Sequence, residues 1–265
     1  MNSAVVTRFA PSPTGRLHLG HAYSAMMAHD FARSRGGRFV LRIEDIDTGR
    51  CRPEFIDGIF DDLAWLGLTH DGPVLRQSER FSVYGHALDR LREMNLLYPC
   101  FCTRRDIAQS ASAPHGPDGP IYPGTCRHLP DAMARLASEP HCWRIDMAAA
   151  VAIADPLDDD PLPHGDVVLA RKDVPTSYHV SVVMDDAAQG ITDIVRGEDL
   201  LPATAIHCLL QVLLDLPSPN YHHHRLLTDA GGRRLAKRDG APALADLRAA
   251  GEDPAALLAR LRAWA

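Results

Sequence analysis

The stretch VVTRFAPSPTGRLHLGH, residues 5–21, decides how the rest of the chain is read. Val5 to Phe9 is short and apolar enough to be a first strand, and the proline-rich PSPTG that follows is a turn. From about Gly20 to Arg35 the pattern is helical, with Ala22, Met26 and Phe31 on one side. Gly36 and Gly37 stop that helix, and residues 38–44, RFVLRIE, read as a second strand. Strand, helix and strand in so short a span form a βαβ unit. The expectation is an α/β fold around a parallel sheet with a right-handed crossover.

HLGH, His18 to His21, stands where the first strand has just ended and the helix begins. Two histidines three apart share one side of a first helical turn, and Gly20 between them lets a ligand approach the backbone. A helix start adds unpaired N–H groups and partial positive charge, which suits a phosphate. Fixed donors at that place would stabilise the charge that builds on phosphoryl oxygens during attack on the α-phosphate of a nucleotide.

Further along, Pro53 opens a helix whose Ile56, Ile59, Phe60, Leu63 and Leu66 share a face, and another after Ser78 carries Tyr84, Leu88, Leu91 and Met94 as a stripe. SASAPHGPDGP, 110–120, is a loop. HGDVVLARK and TSYHVSVVMDD, between Leu162 and the aspartates at 185–186, read as short strands, and ITDIVRGEDLL as one more strand with a charged exit. Residues 202–214 read as a helix, and Asp253-Pro254 caps the last one.

The chain of 265 residues is long enough for one large domain, or a domain with an insertion. Acidic residues outnumber basic ones 34 to 28, so an RNA partner would have to meet a local basic patch rather than a basic molecule. No apolar run has the length of a membrane span, and the N-terminus does not read as a secretory signal, which points to a cytoplasmic protein.

Cys100, Cys102 and Cys126 cluster while Cys51, Cys142 and Cys208 are scattered, unlike a disulfide scaffold. C-x-C, 19 residues, then Y-x-x-x-C offers three soft thiolates for a tetrahedral zinc ion, with Tyr122, His115 or His128 as the further ligand. RRLAKRDG, 233–240, is a basic run after a glycine pair, suited to neutralising a polyphosphate leaving group. YHHHRLL holds His222, His223 and His224, which cannot all meet one ion from a strand because they alternate faces. Arg8, Glu44 and Arg196 stand at or near the carboxyl ends of strands, where ligands of open α/β sheets sit. Two guanidinium groups suit a substrate with two carboxylates, and Glu44 suits its ammonium.

RFAPSPTGRLHLGH and RLAKR resemble the two signature motifs of class I aminoacyl-tRNA synthetases, usually written HIGH and KMSKS. RIEDID at 42–47 and IVRGEDLL at 194–201 are similar to the glutamyl branch in particular. With cysteines between the two halves of the nucleotide fold and no helical anticodon-binding part, the chain resembles the glutamyl-queuosine tRNA(Asp) synthetases, which are like truncated glutamyl-tRNA synthetases. The resemblance runs from about Val5 to the last helix. It implies a Rossmann-type catalytic domain with a cysteine-containing insertion and a short helical C-terminal tail. The expected divisions are 1–97 and 166–230 for the halves of the nucleotide fold, 98–165 for the insertion, and 231–265 for the KMSKS-like loop and tail.

The resemblance also implies the chemistry. L-Glutamate would react with ATP and magnesium to give glutamyl-adenylate without tRNA, and then pass to the queuosine base in the anticodon of tRNA(Asp). It places glutamate on Arg8, Phe9, Ala10, Pro11, Ser12, Glu44, Tyr178 and Arg196, and ATP on His18, Gly20, His21 and Lys237. His18, His21 and Lys237 are the catalytic set, Cys100, Cys102, Tyr122 and Cys126 the zinc ligands, and the histidine run an adenine or ribose contact. Two positions of the second motif depart from the family pattern: Arg234 stands where lysine is usual, and Ala236 lacks the usual hydroxyl. A monomer is expected. The competing readings are a shortened glutamyl-tRNA synthetase that charges an acceptor end, a small HxGH nucleotidyltransferase, and a non-catalytic binding protein. The arginines argue against the second, and the histidines with Lys237 against the third.

Overall fold

The computed structural model describes residues 4–109, 115–116, 119–154, 156–228 and 242–264. The RLAKR segment with Lys237, and most of the loop before Pro120, lie outside these residues. In chain order the elements begin with β1 (Val6–Phe9), α1 (Leu19–Arg33), β2 (Arg38–Ile43), α2 (Pro53–Leu66), β3 (Leu75–Arg76), α3 (Phe81–Glu93) and β4 (Leu97–Cys100). Then come α4 (Arg104–Gln109), β5 (His115–Gly116), β6 (Gly119–Pro120), α5 (Ala132–Leu136), β7 (Cys142–Ile145), α6 (Met147–Ala154) and β8 (Val168–Ala170). The chain closes with α7 (Tyr178–Gln189), β9 (Asp193–Gly197), α8 (Ala203–Leu213), β10 (Asn220–His224), α9 (Leu244–Ala249) and α10 (Pro254–Arg262).

Two compact units emerge. The first takes residues up to 79, 188–201 and from 219 onward. Its strands are all parallel: β1 pairs with β2 from Val6↔Arg38 to Phe9↔Leu41, β2 with β3, and β9 with β10. Thr192 joins β9's entrance to β1, its N–H donating to Val6 O at 3.0 Å and its Oγ1 accepting the Val6 N–H at 2.8 Å. The βαβ unit is there as the sequence implied. Gly36 sits at φ 65°, and a Cβ on Gly37 would fall 2.4 Å from Val5 O, so only glycine lets β2 begin against β1. α1 presents Ala22, Ala25, Met26, Ala28 and Ala32 to Phe39, Leu41 and Ile43 of β2, and the tail helices add Leu244, Leu257, Leu258 and Leu261 to the same core. Small residues along α1 let it lie close to the strands. Phe31, expected on that buried side, is only partly buried and packs at the core's margin.

The second unit, residues 80–187 and 202–218, holds an antiparallel sheet in the order β4-β7-β8. One buried carboxylate ties this unit together: Asp166 accepts from Tyr98, from Arg127 Nε at 2.9 Å and from the Met147 N–H at 3.0 Å, while its backbone carbonyl accepts from Arg144 Nη1 at 2.6 Å. A second buried carboxylate, Asp185, accepts from Arg80 Nε at 2.7 Å and Tyr84 Oη at 2.8 Å. TSYHVSVVMDD departs from its expectation: it is not a strand but the start of α7. Val180, Ser181, Val182, Val183, Asp185 and Asp186 are all buried, so the helix has no polar face to reveal a 3.6-residue period, and its β-branched valines mimic a strand. Residues His115–Gly116 and Gly119–Pro120 of the expected loop form a short antiparallel pair.

Candidate active site

α1 begins on a reciprocal cap built from HLGH itself. His18 is the N-cap; its Nδ1 accepts the Gly20 N–H at 3.1 Å, and His21 Nδ1 accepts the His18 N–H at 3.2 Å. The rings lie 3.8 Å apart between centroids. An Nδ1 that accepts a backbone N–H carries the lone pair, so the heavy-atom geometry assigns the proton of each neutral ring to Nε2. Both imidazoles therefore present an Nε2–H donor. Gly20 is hemmed in by the His18 ring, 3.0 Å from where a Cβ would stand.

The loop from Ala10 to Ser12 crosses from β1 to this cap and is pinned to the end of β2 by the Glu44 N–H, which donates to Pro11 O at 3.0 Å. Arg8 is the third residue of β1 and Phe9 the last, both buried. Arg196 is the fourth residue of β9, the strand joined to β1, and is also buried. Its guanidinium donates to Leu200 O at 3.0 Å and to His223 Nε2 at 3.3 Å, and lies 5.0 Å from the Tyr221 ring centroid. Glu44 has a neighbour that sequence reasoning missed: Arg42, fully buried, reaches its Oε1 at 3.3 Å and Gln189 Oε1 at 3.1 Å. An alternating strand puts residues 42 and 44 on one face, which was the available signal. Tyr178 opens α7 in the second unit, its ring edge-on to His207 at 5.4 Å and to His179 at 5.6 Å, with those two imidazoles hydrogen-bonded at 3.2 Å.

The three consecutive histidines go to three different partners. His222 Nε2 meets Asp193 at 2.9 Å, His223 meets Arg196, and His224 Nε2 meets Ser24 Oγ of α1 at 2.9 Å. Burial would raise Asp193, but hydrogen bonds from His222, Thr192 and Asn220 outweigh it and hold the carboxyl below its usual range. A cavity of 380 Å³ opens beside His222 and His223, between them and Met27 and Phe31 of α1. At 1.5 Å of rise per residue, Met27 and Phe31 lie roughly 12 and 18 Å along α1 from its start, and His224 lines the cavity too.

In the second unit the sulfurs of Cys100, Cys102 and Cys126 all lie within 4.8 Å of one another, and Cys102 and Cys126 are 3.6 Å apart. Zinc–sulfur bonds of about 2.3 Å in a tetrahedron set sulfurs roughly 3.8 Å apart, so the donor set fits such an ion. Tyr122 Oη stands 3.6 Å from Cys102 Sγ and accepts the Cys126 N–H at 2.8 Å. His128 is exposed and outside the group, and the side chain of His115 lies outside the described residues. Cys142, which the sequence left isolated, lies opposite Cys100 across the β4–β7 pair. A hydrogen bond from its thiol, against the opposing effect of burial, draws Cys100 well below the ordinary thiol range, while burial pushes Cys102 up to about 11. None of the six cysteines forms a disulfide.

A parallel nucleotide fold whose first crossover helix is capped by HLGH defines the catalytic domain of a class I aminoacyl-tRNA synthetase. The family model for tRNA synthetases class I (E and Q), catalytic domain, matches residues 4–264, and the chain belongs to that family. It is 51% identical to the glutamyl-Q tRNA(Asp) synthetase of Rhodobacter capsulatus, over 95% of this chain and 97% of that one. It is 48% identical to the protein of that name from Nocardia farcinica, over 96% of this chain and 82% of the other. Among solved structures it resembles a glutamate tRNA ligase from Elizabethkingia meningosepticum in complex with its amino acid, with a TM-score of 0.70 and 30% identity over 90% of this chain. The chain spans about half, 53%, of that ligase. No helix among the described residues is long and apolar enough to cross a membrane.

Proposed function

We infer that this protein is a ligase that activates L-glutamate with ATP and transfers it to the queuosine base of tRNA(Asp). The observation that carries this reading is the 51% identity, along nearly all of both chains, to a relative named for that activity.

In the proposed reaction an oxygen of the glutamate α-carboxylate attacks the α-phosphorus of ATP, and the bond to the bridging oxygen of pyrophosphate breaks. The product is glutamyl-adenylate. A hydroxyl of the queuosine cyclopentenediol then attacks the acyl carbon and AMP leaves. No protein nucleophile takes part, so the protein's contribution is positioning and electrostatics. His18 and His21 donate Nε2–H groups to the phosphoryl oxygens, and the cap that fixes their Nδ1 atoms pre-sets that direction. Gly20 gives the phosphate room at the helix start. Lys237 neutralises the departing pyrophosphate. The magnesium that accompanies ATP would share that task of offsetting phosphate charge.

Arg8 and Arg196 take the two carboxylates of glutamate, and Glu44, its orientation held by Arg42, takes the ammonium. The loop Phe9–Ser12 and Tyr178 complete the glutamate site. His224, through its placement beside Ser24 on α1, is the member of the histidine run suited to the nucleoside. Cys100, Cys102, Tyr122 and Cys126 would hold one structural zinc ion within the 98–165 insertion, where a closed four-ligand site adds folding energy rather than chemistry. Residues 1–97 and 166–230 are the halves of the nucleotide fold, and 231–265 the KMSKS-like loop and tail.

The transfer step is tested with labelled glutamate and tRNA from cells with and without queuosine. Labelling of tRNA(Asp) only when queuosine is present supports the reading. Equal labelling of both preparations, located at the acceptor end of tRNA(Glu), overturns it in favour of a shortened glutamyl-tRNA synthetase.

A further inference from the structure

Cys142 stands next to the cysteine cluster without belonging to it. In the antiparallel β4–β7 pair it is directly opposite Cys100, so the two side chains share a face of the sheet. It is buried, and its Sγ donates to Cys100 O at 3.5 Å. Yet it is not one of the sulfurs that converge within 4.8 Å. Arg144, two residues along β7 and on the same face, carries its guanidinium 3.9 Å from the centroid of the Tyr122 ring. β7 thus sets a weak S–H donor behind one candidate ligand and a cation behind another.

Charge explains the need. A zinc ion with three thiolates carries a net charge of −1, and with a phenolate −2. Burying that excess is costly unless donors and cations surround it. We propose that Cys142 is an outer-sphere positioning residue of the metal centre, its S–H donating to the Cys100 backbone carbonyl and so fixing the strand residue that carries this ligand, without ligating the ion. This rests on the reading that Cys100, Cys102, Tyr122 and Cys126 hold zinc. Loss of partners of this kind typically weakens metal binding by 10–100-fold.

The test uses the full chain and zinc itself. X-ray absorption of the zinc-loaded protein is expected to count three sulfurs and one lighter ligand; four sulfurs would make Cys142 a ligand and overturn the proposal. In competition with a chromophoric chelator, Cys142→Ala is expected to bind zinc about tenfold more weakly, whereas Cys142→Ser, which keeps a donor, stays within about threefold of the parent. With cobalt(II) in place of zinc, the sulfur-to-metal charge-transfer band of Cys142→Ala should keep its full intensity, because no thiolate ligand is lost; a loss of about a quarter or more of it would make Cys142 a ligand and overturn the proposal. An unchanged zinc affinity in Cys142→Ala refutes the role. If that variant does not fold, the sulfur count and Cys142→Ser still decide. A parent protein that takes up no zinc removes the metal reading itself, an outcome separate from an unaffected Cys142→Ala.

Discussion

The backbone N–H of Leu244 donates to the carbonyl of Leu17 at 2.9 Å, and beside this bond His18 and Ala243 form an antiparallel bridge. The chain that leaves the RLAKR segment is therefore fastened to the residue that caps α1. α9 is further held to α2 by Arg248, whose guanidinium reaches the carboxylate of Asp62 at 3.3 Å, and to the PSPTG-side loop by Asp246, paired with Arg16 at 3.0 Å.

Lys237 is assigned to the leaving pyrophosphate in the proposed reaction. If its ammonium meets the pyrophosphate only as charge develops, Lys237→Ala should lower the rate of glutamate-dependent pyrophosphate exchange by roughly 100-fold or more while leaving glutamate affinity nearly unchanged. Steady-state kinetics set beside glutamate binding by calorimetry reads both quantities. An unchanged exchange rate contradicts the role.

His18 caps α1, and in the proposed reaction it also meets the phosphoryl group; substitution can separate the two. Asparagine caps helices well, so His18→Asn should keep the melting temperature of the parent while losing most activity. His18→Ala should lose the activity and also about 1 kcal/mol of stability with the cap. Equal melting temperatures for the two variants would show that the cap seen between His18 and Gly20 carries no stability.

Arg196 tests the glutamate site. Lysine preserves its charge but not the planar fork, so Arg196→Lys should raise the KM for glutamate by about tenfold or more and that for ATP little. A change confined to the KM for ATP would place Arg196 elsewhere in the site.

Asp62 gives a pH dependence that owes nothing to catalysis. Burial on α2, only partly offset by Arg248, raises its carboxyl to about 6. A folded value above the unfolded one means that the native state binds the proton more tightly. The penalty for ionised Asp62 is thus fully present above about pH 7 and fades as pH falls through 6 towards 4. At its upper bound it amounts to about 3 kcal/mol. Asp62→Asn should therefore gain most in melting temperature over the parent near pH 8 and least near pH 4.5. A gain that grows as pH falls contradicts this.

The sequence made the βαβ unit readable because its signals are local: PSPTG, the HLGH cap, the Gly36-Gly37 stop and the apolar run of β2 all fall within one short segment. The same is true of the Asp253-Pro254 start of α10, whose Asp253 side chain accepts from Ala255 and Ala256 N–H groups. α7 was hidden because burial on nearly every side erases helical periodicity. The Cys100–Cys142 pairing, the Leu17–Leu244 tether and the joining of β9 to β1 depend on which strands meet, and a pattern of residue types along one segment carries no record of that. Arg42 was passed over because a buried arginine inside an apolar strand looks like a solvated edge position until Glu44 and Gln189 are seen around it.

In the proposed reaction a pocket with paired guanidiniums selects glutamate for adenylation at the HLGH cap. ATP–pyrophosphate exchange, measured without tRNA for each amino acid in turn, tests it most directly. Exchange with glutamate alone, and not with aspartate or glutamine, is the expected result. Exchange with another amino acid, or none until tRNA is added, would contradict it.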